Sequence, residues 1–210
     1  MIPVKELSDI RRHEKEIEGK HVIMILFARP DLKSCEEIIR QFDYFYELFK
    51  GYCTIYVPGY SFTYSDNETK QRIYEVIGPQ GTTWYYTNKW FIGFIEDLKN
   101  RIKWEYSGEA QLIILQNGEK DGMNFRSYIN IDIEYGIKKE YIDSFPRFME
   151  RLHTACKSEV DAIRLVNKAN QIRISPRKIL ENVLNMDTKL PVPISKIIND
   201  KAFYAGKKGN

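Results

Sequence analysis

The fold is decided by residues 21–49, which read HVIMILFARPDLKSCEEIIRQFDYFYELF. The apolar run at 22–27 shows no polar alternation, which is typical of a strand covered on both faces. Apolar residues then recur at steps of three and four over 35–49, and this spacing predicts an amphipathic helix. The stretch therefore predicts a buried strand followed directly by a helix.

A second strand is predicted at 53–57, where β-branched and aromatic residues precede the breaker Pro58-Gly59. The connection from the first strand is long enough for a parallel, right-handed crossover. Such a crossover brings the loops after the two strands to one edge of the sheet, where open α/β sheets bind their ligands. We call these loops, residues 29–35 and 58–61, the rim, and we expect the functional site there.

Further elements follow from the periodicity and turn signals of the remaining chain. Together they predict an α/β core domain over 1–170, with a mixed sheet of four or five strands flanked by helices, and a basic helical tail over 171–210. The predicted elements are a helix at 5–18, a short helix at 66–77, a helix from about 87 to 102, a strand within 104–116, an edge strand at 126–135 and a long helix at 144–170.

The order strand, helix, strand, helix, strand, strand, helix resembles the thioredoxin-like fold over about residues 20–157, including a closing antiparallel hairpin. The resemblance implies a redox cysteine at the start of the first crossover helix, and Cys35 occupies a comparable place. Leu32 and Ile38 stand three positions on either side of it, so the partner cysteine is missing. The family's proline before the third strand is also absent from 108–111. A doubly wound, flavodoxin-like sheet therefore remains an alternative.

Composition bounds the class of protein. The 210 residues carry a net charge of +3, and the last forty hold eight Lys or Arg against three Asp or Glu. This density is well below that of a nucleic-acid-binding arm, so nucleic-acid binding is not predicted. The charged first twenty residues and the absence of a long apolar run predict a cytoplasmic protein without a membrane span. The three cysteines and three histidines show no zinc-binding spacing, so no metal site is predicted.

The rim carries polar and aromatic side chains suited to a small polar ligand such as a nucleotide. Charged groups and hydroxyls there bind anions or sugars, and an indole stacks on a base. The alternative is that Arg29 and Asp31 pair with each other and the loops only turn the chain. No Gly-rich phosphate loop occurs, and no cofactor is predicted. The candidate ligand-binding residues are Arg29, Asp31, Tyr60, Ser61, Asp66 and Trp84.

Cys35 is a candidate reactive thiol. Ser34 and Glu37 match the S-x-x-E capping box, which places Cys35 at a helix N-terminus where backbone N–H groups favour a thiolate. Glu36 opposes this effect, and Cys35 also lies on the apolar stripe of the helix. These two observations favour an inert packing cysteine.

Three polar residues, Asn130, Asp132 and Glu134, share one face of the predicted edge strand. Their spacing permits a contribution to a divalent-ion site only with further ligands. A solvated face that discourages aggregation is the favoured interpretation.

These observations predict a non-catalytic binding or interaction module that recognises a small polar ligand or a protein partner. Its predicted assembly surface is the 144–170 helix, through which it binds a partner or a second copy. The alternative is an enzyme acting on a nucleotide or thiol substrate at the rim from Arg29 to Cys35. A third hypothesis is that the basic tail docks an acidic partner.

Overall fold

Two β-sheets and six α-helices make up the part of the chain that the structure describes. This computed structural model describes residues 1–18, 21–64, 72–117, 122–140, 142–157 and 203–207. The strands are β1 (Ile2–Val4), β2 (Val22–Phe27), β3 (Cys53–Pro58), β4 (Tyr60–Ser61), β5 (Ile73–Ile77), β6 (Thr83–Thr87), β7 (Gln111–Gln116), β8 (Asn124–Asp132) and β9 (Phe203–Lys207). The helices are α1 (Leu7–Lys15), α2 (Glu36–Arg40), α3 (Phe42–Phe49), α4 (Asn88–Lys99), α5 (Ile133–Lys138) and α6 (Phe145–Lys157).

The larger sheet, which we call the main sheet, has the strand order β1-β3-β2-β7-β8-β9. β2 lies inside it, parallel to β3 and antiparallel to β7, and all six of its residues are buried. The prediction of a buried strand in parallel pairing with 53–57 is confirmed. Because β2 and β3 are parallel, the loops that follow them meet at one edge of the sheet. A mixed sheet flanked by helices is likewise confirmed.

The main sheet has six strands, where the sequence predicts four or five. The additional strands lie at its two edges, where β1 pairs with β3 and β9 pairs with β8. Strands of three and five residues carry little periodic signal. Residues 203–207 are therefore a paired strand, and the expectation of a helical tail with a frayed end is wrong for them.

The polar row on β8 is not a solvated edge. β9 covers the outer side of β8, and Asn130 is only 6% exposed. The Asn130 side chain accepts a hydrogen bond from the Trp104 indole at 3.2 Å. The strand ends at Asp132, whose carboxylate accepts a bond from the Tyr135 backbone N–H and starts α5. The prediction of a solvated face over 126–135 is therefore wrong. The alternation of apolar and polar residues within this stretch does not reveal that a further strand pairs with it.

The crossover helix predicted over 35–49 is broken in two. Gln41 leaves helical geometry between α2 and α3, with φ −102° and ψ 10°. The predicted capping box is also wrong, because the Ser34 hydroxyl donates to Glu109 at 2.7 Å instead of capping the helix. Residues 33–35 form one 3-10 turn before α2. The apolar stripe holds, since Phe42, Phe45 and Phe49 are buried.

The second sheet, which we call the small sheet, has the order β4-β6-β5 with antiparallel pairing throughout. It replaces the helix predicted at 66–77, because residues 73–77 pair with β6 along their whole length. The β-branched residues Ile73, Val76 and Ile77 favour this extended conformation. Residues 65–71, with the candidate Asp66, lie outside the described residues.

Helix α6 confirms the predicted helix as far as Lys157; the rest of the 144–170 stretch lies outside the described residues. It packs on α3, where the Phe45 and Phe145 rings lie 5.0 Å apart. The Tyr44 hydroxyl adds a hydrogen bond to Glu150 at 2.8 Å. Within the described ranges, no helix is both long enough and apolar enough to cross a membrane.

Candidate functional site

Arg29 and Asp31, which follow β2, form a two-point ion pair at the rim. The Arg29 Nε donates to Asp31 Oδ1 at 3.0 Å, and Nη2 donates to Oδ2 at 2.6 Å. The side chains are 25% and 20% exposed. The hydrogen bond from the guanidinium lowers the pKa of Asp31, so this carboxylate stays charged. The two residues pair with each other, and the guanidinium face that Asp31 occupies is not open to a ligand.

Two buried tyrosines, Tyr60 and Tyr86, lie next to this ion pair. The Tyr60 hydroxyl donates to the backbone carbonyl of Ala28 at 2.8 Å. The Tyr86 hydroxyl donates to the side-chain oxygen of Asn88 at 2.8 Å, and the Asn88 side chain also hydrogen-bonds Asp31. Burial raises the pKa of both tyrosines, so they act as neutral hydroxyls. The ion pair is therefore held by a network of short polar contacts within the protein.

Tyr106 borders the rim, and the sequence analysis missed it. Its ring packs against Phe91 at 5.3 Å between centroids, and burial raises the pKa of its hydroxyl. The hydroxyl oxygen is buried without a hydrogen-bond partner among the described residues. Its neighbours Arg29 and Cys35 come from a distant part of the chain, so no local pattern marks the position.

Cys35 is fully buried at the start of the α2 segment. Burial raises the pKa of its thiol, although hydrogen bonds with the Arg29 backbone and the Ser34 side chain oppose the shift. A buried thiol with a raised pKa is mostly protonated at neutral pH and therefore a weak nucleophile. Nearby Ser34 is bonded to the carboxylate of Glu109. The surroundings of Cys35 are those of a packing side chain.

Two further predicted residues, Ser61 and Trp84, lie in the small sheet. Trp84 is 1% exposed and its ring packs against Phe42 and Tyr60 at 5.6 and 5.9 Å, so it offers no face for stacking on a ligand. Ser61 is partly exposed and accepts a hydrogen bond from the Thr63 backbone at 3.2 Å. Of the predicted set, Arg29 and Asp31 pair directly, and Asp31 is a neighbour of Tyr60.

The small sheet presents an apolar outer face that the sequence analysis did not identify. Its inner face holds Trp84 and Tyr86. Because side chains alternate along a strand, Thr83, Tyr85 and their β5 partners Ile77 and Glu75 lie on the opposite, outer face. Ile77 is 66% exposed. Tyr64 is 44% exposed, and its ring packs edge-on against Tyr85 at 4.6 Å. We define the outer face as Ile73, Glu75, Ile77, Tyr64 and Tyr85.

Strand β5 is an edge of the small sheet. It pairs with β6 on one side, and no strand within the described ranges pairs with its other side. An edge strand presents a row of backbone N–H and C=O groups that bind an added strand. Residues 73–77 and 83–87, IYEVI and TWYYT, are rich in β-branched and aromatic residues, and this composition is the only local signal that favours strands there.

Among the residues that the structure describes, no three or more His, Cys, Asp or Glu side chains group to hold a metal ion. Comparison with protein-family models, curated proteins and solved structures finds no match to this chain. The functional conclusion therefore rests on the geometry of the rim and of the small sheet.

Proposed function

We propose that this chain is a non-catalytic interaction module that binds an extended segment of a protein partner along β5. The observation that carries the proposal is a strand edge that no described strand covers, beside exposed apolar side chains, with Ile77 66% exposed. In strand addition, backbone hydrogen bonds supply affinity and alternate side chains supply specificity. The outer face offers apolar, acidic and apolar side chains at Ile73, Glu75 and Ile77.

The partner's chemistry follows from Glu75, the middle residue of the strand. In a symmetrical antiparallel pairing of two copies, Glu75 faces the Glu75 of the second copy, and like charges directly opposite each other are destabilising. A Lys or Arg at the same place in a different chain pairs favourably with this exposed carboxylate. The expected ligand is therefore an extended segment with a basic residue flanked at alternate positions by apolar ones.

We infer that the scaffold is thioredoxin-like and carries no redox chemistry of that family. In support of this type, the parallel strands β2 and β3 are followed by the antiparallel hairpin strands β7 and β8, which is the order that the resemblance implies. A doubly wound parallel sheet lacks such a hairpin beside its central strand. The burial of Cys35 supports a role in packing.

The rim supports a non-catalytic role. A small anionic ligand must displace Asp31 before it reaches the Arg29 guanidinium. Such an exchange of one anionic group for another gains little binding free energy. The nearest thiol, Cys35, is buried and weakly nucleophilic. We therefore favour the protein partner over the small polar ligand and over the enzyme.

Selection of phage-displayed random linear peptides on the full chain tests the proposal. We expect peptides with alternating apolar residues around a Lys or Arg, and we expect Ile77→Ser to weaken their binding about tenfold. The matched control is Ile92→Ser, because Ile92 is 53% exposed on α4 and does not belong to the outer face or to β5. Failure to enrich any peptide, or equal binding by Ile77→Ser and the unchanged chain, would overturn the proposal.

A further inference from the structure

Two of the three cysteines meet where α6 crosses the start of β3. The His153 ring lies 5.1 Å from the Tyr52 ring and 5.7 Å from the Phe49 ring. Tyr52 directly precedes Cys53, and Cys156 follows His153 by three residues, one turn further along the same helix face. Both thiols are free, and the two side chains lie close enough to interact with each other. The fold thus brings together two cysteines that lie 103 positions apart in the sequence.

The third cysteine lies at the other end of the sheet. Cys53 pairs in register with Val22 at the start of β2, whereas Cys35 follows the opposite end of that strand. Six residues of strand span roughly 20 Å. Cys35 is also fully buried. It therefore does not compete for Cys53 or Cys156 within one folded chain.

We propose that Cys53 and Cys156 form a reversible intramolecular disulfide when a peroxide is the oxidant. Cys53 is the more accessible of the two, so its thiolate attacks one peroxide oxygen, the O–O bond breaks, and water and a sulfenic acid form. The Cys156 sulfur then attacks the Cys53 sulfur, the S–S bond forms, and the second oxygen leaves as water. Two thiols lose two electrons and two protons, and one hydrogen peroxide becomes two waters. A dithiol reductant reverses the reaction by thiol–disulfide exchange.

The environment sets the rate and the effect of this reaction. The interaction with Cys156 and burial raise the pKa of Cys53 well above its ordinary value, and the nearby Met1 amino group opposes the shift weakly. Little thiolate is present at neutral pH, so oxidation is slow there. Once formed, the bond ties α6 to β3 and closes a long loop, which constrains the unfolded chain.

The experiment uses the full chain treated with hydrogen peroxide, alkylated with iodoacetamide and mapped by peptide mass spectrometry. We expect one linkage, between the peptides that carry Cys53 and Cys156, and a midpoint of thermal unfolding raised by roughly 5–10 °C. Dithiothreitol removes both effects. The Cys35→Ser variant keeps the linkage, and the Cys53→Ala and Cys156→Ala variants lose it together with the thermal shift.

Two results would overturn the inference. One is a peroxide-treated chain in which Cys53 and Cys156 both remain open to alkylation after denaturation. The other is a disulfide that involves Cys35 or joins two chains, with no internal link between Cys53 and Cys156. Circular dichroism establishes whether each variant is folded. If a variant does not fold, the disulfide mapping of the unchanged chain alone decides the outcome.

Discussion

At the scale of single residues, a buried polar network behind β3 is the least predictable feature of the protein. Glu14 is 2% exposed and accepts a hydrogen bond from the Tyr56 hydroxyl. The His21 Nε2 lies 2.6 Å from the same carboxylate, and the His13 Nδ1 lies 2.6 Å from the Tyr56 oxygen. These residues come from α1, the start of β2 and β3, so no local sequence pattern groups them.

Removing the Tyr56 hydroxyl tests how much this network contributes to the free energy of unfolding. We expect Tyr56→Phe to lower the free energy of unfolding by about 1–3 kcal/mol, because a buried carboxylate loses a hydrogen bond that water does not replace. The control is Tyr44→Phe, which removes a Tyr–Glu bond at 2.8 Å on the surface. That change should stay within about 0.5 kcal/mol. Urea unfolding of both variants makes the comparison, and equal losses would contradict burial as the cause.

The tyrosines also predict how stability responds to alkaline pH. Burial raises the pKa of Tyr56, Tyr60, Tyr86 and Tyr106 in the folded chain, whereas an unfolded tyrosine ionises near pH 10. Above that pH the folded state holds more protons than the unfolded state, so stability falls as pH rises. Below it these groups contribute a constant stability. Denaturant unfolding between about pH 8 and 11 measures this, and folded-state absorbance showing these four tyrosines ionising near pH 10 would contradict it.

At the scale of elements, two glycines differ in how closely their surroundings pack. One lies against the small sheet, and the other lies on the outside of α4. A Cβ added to Gly78 would lie 2.4 Å from the Trp84 Nε1, in a ring that is 1% exposed. A Cβ added to Gly93, inside α4, meets nothing within 4 Å. The same substitution therefore has opposite consequences at the two positions.

We expect Gly78→Ala to destabilise the protein by about 1–3 kcal/mol through overpacking. We expect Gly93→Ala to stabilise it by about 0.5–1 kcal/mol, because alanine is the better helix former. Thermal or denaturant unfolding of the two variants supplies both numbers. A change of the same sign at both positions would show that the packing of Trp84 against Gly78 is not as described.

The elements also differ in how well their sequences predict them. The β2–β3 unit is predictable because its apolar run and its breakers are local signals. The start of α4 is also confirmed, since the Thr87 hydroxyl accepts a bond from the Trp90 backbone at 3.3 Å. The strand β5 is missed because its pairing with β6 overrides a short ambiguous run. At the candidate site the pairing of Arg29 with Asp31 was foreseeable from their spacing, whereas the burial of Trp84 and the place of Tyr106 depend on distant contacts.

At the scale of the whole molecule, the chain's last described strand completes the main sheet. Backbone pairing of β9 covers the outer side of β8 over five residue pairs. Deleting residues 203–210 therefore leaves a long strand with an open edge. We expect the truncated chain to be less stable and to self-associate, as measured by denaturant unfolding and by size-exclusion chromatography with light scattering. An unchanged unfolding midpoint and a single unchanged elution volume would contradict this role for β9.

The proposed binding surface is the edge of β5 that no described strand covers, in place of the rim that the sequence favours. Hydrogen–deuterium exchange of the full chain, alone and saturated with a peptide selected as above, distinguishes these two surfaces. We expect the backbone amides of 73–77 to become protected when the peptide binds, while those of 29–35 exchange at an unchanged rate. Protection of 29–35 with no change over 73–77 would rule out the β5 edge and place the binding site at the rim.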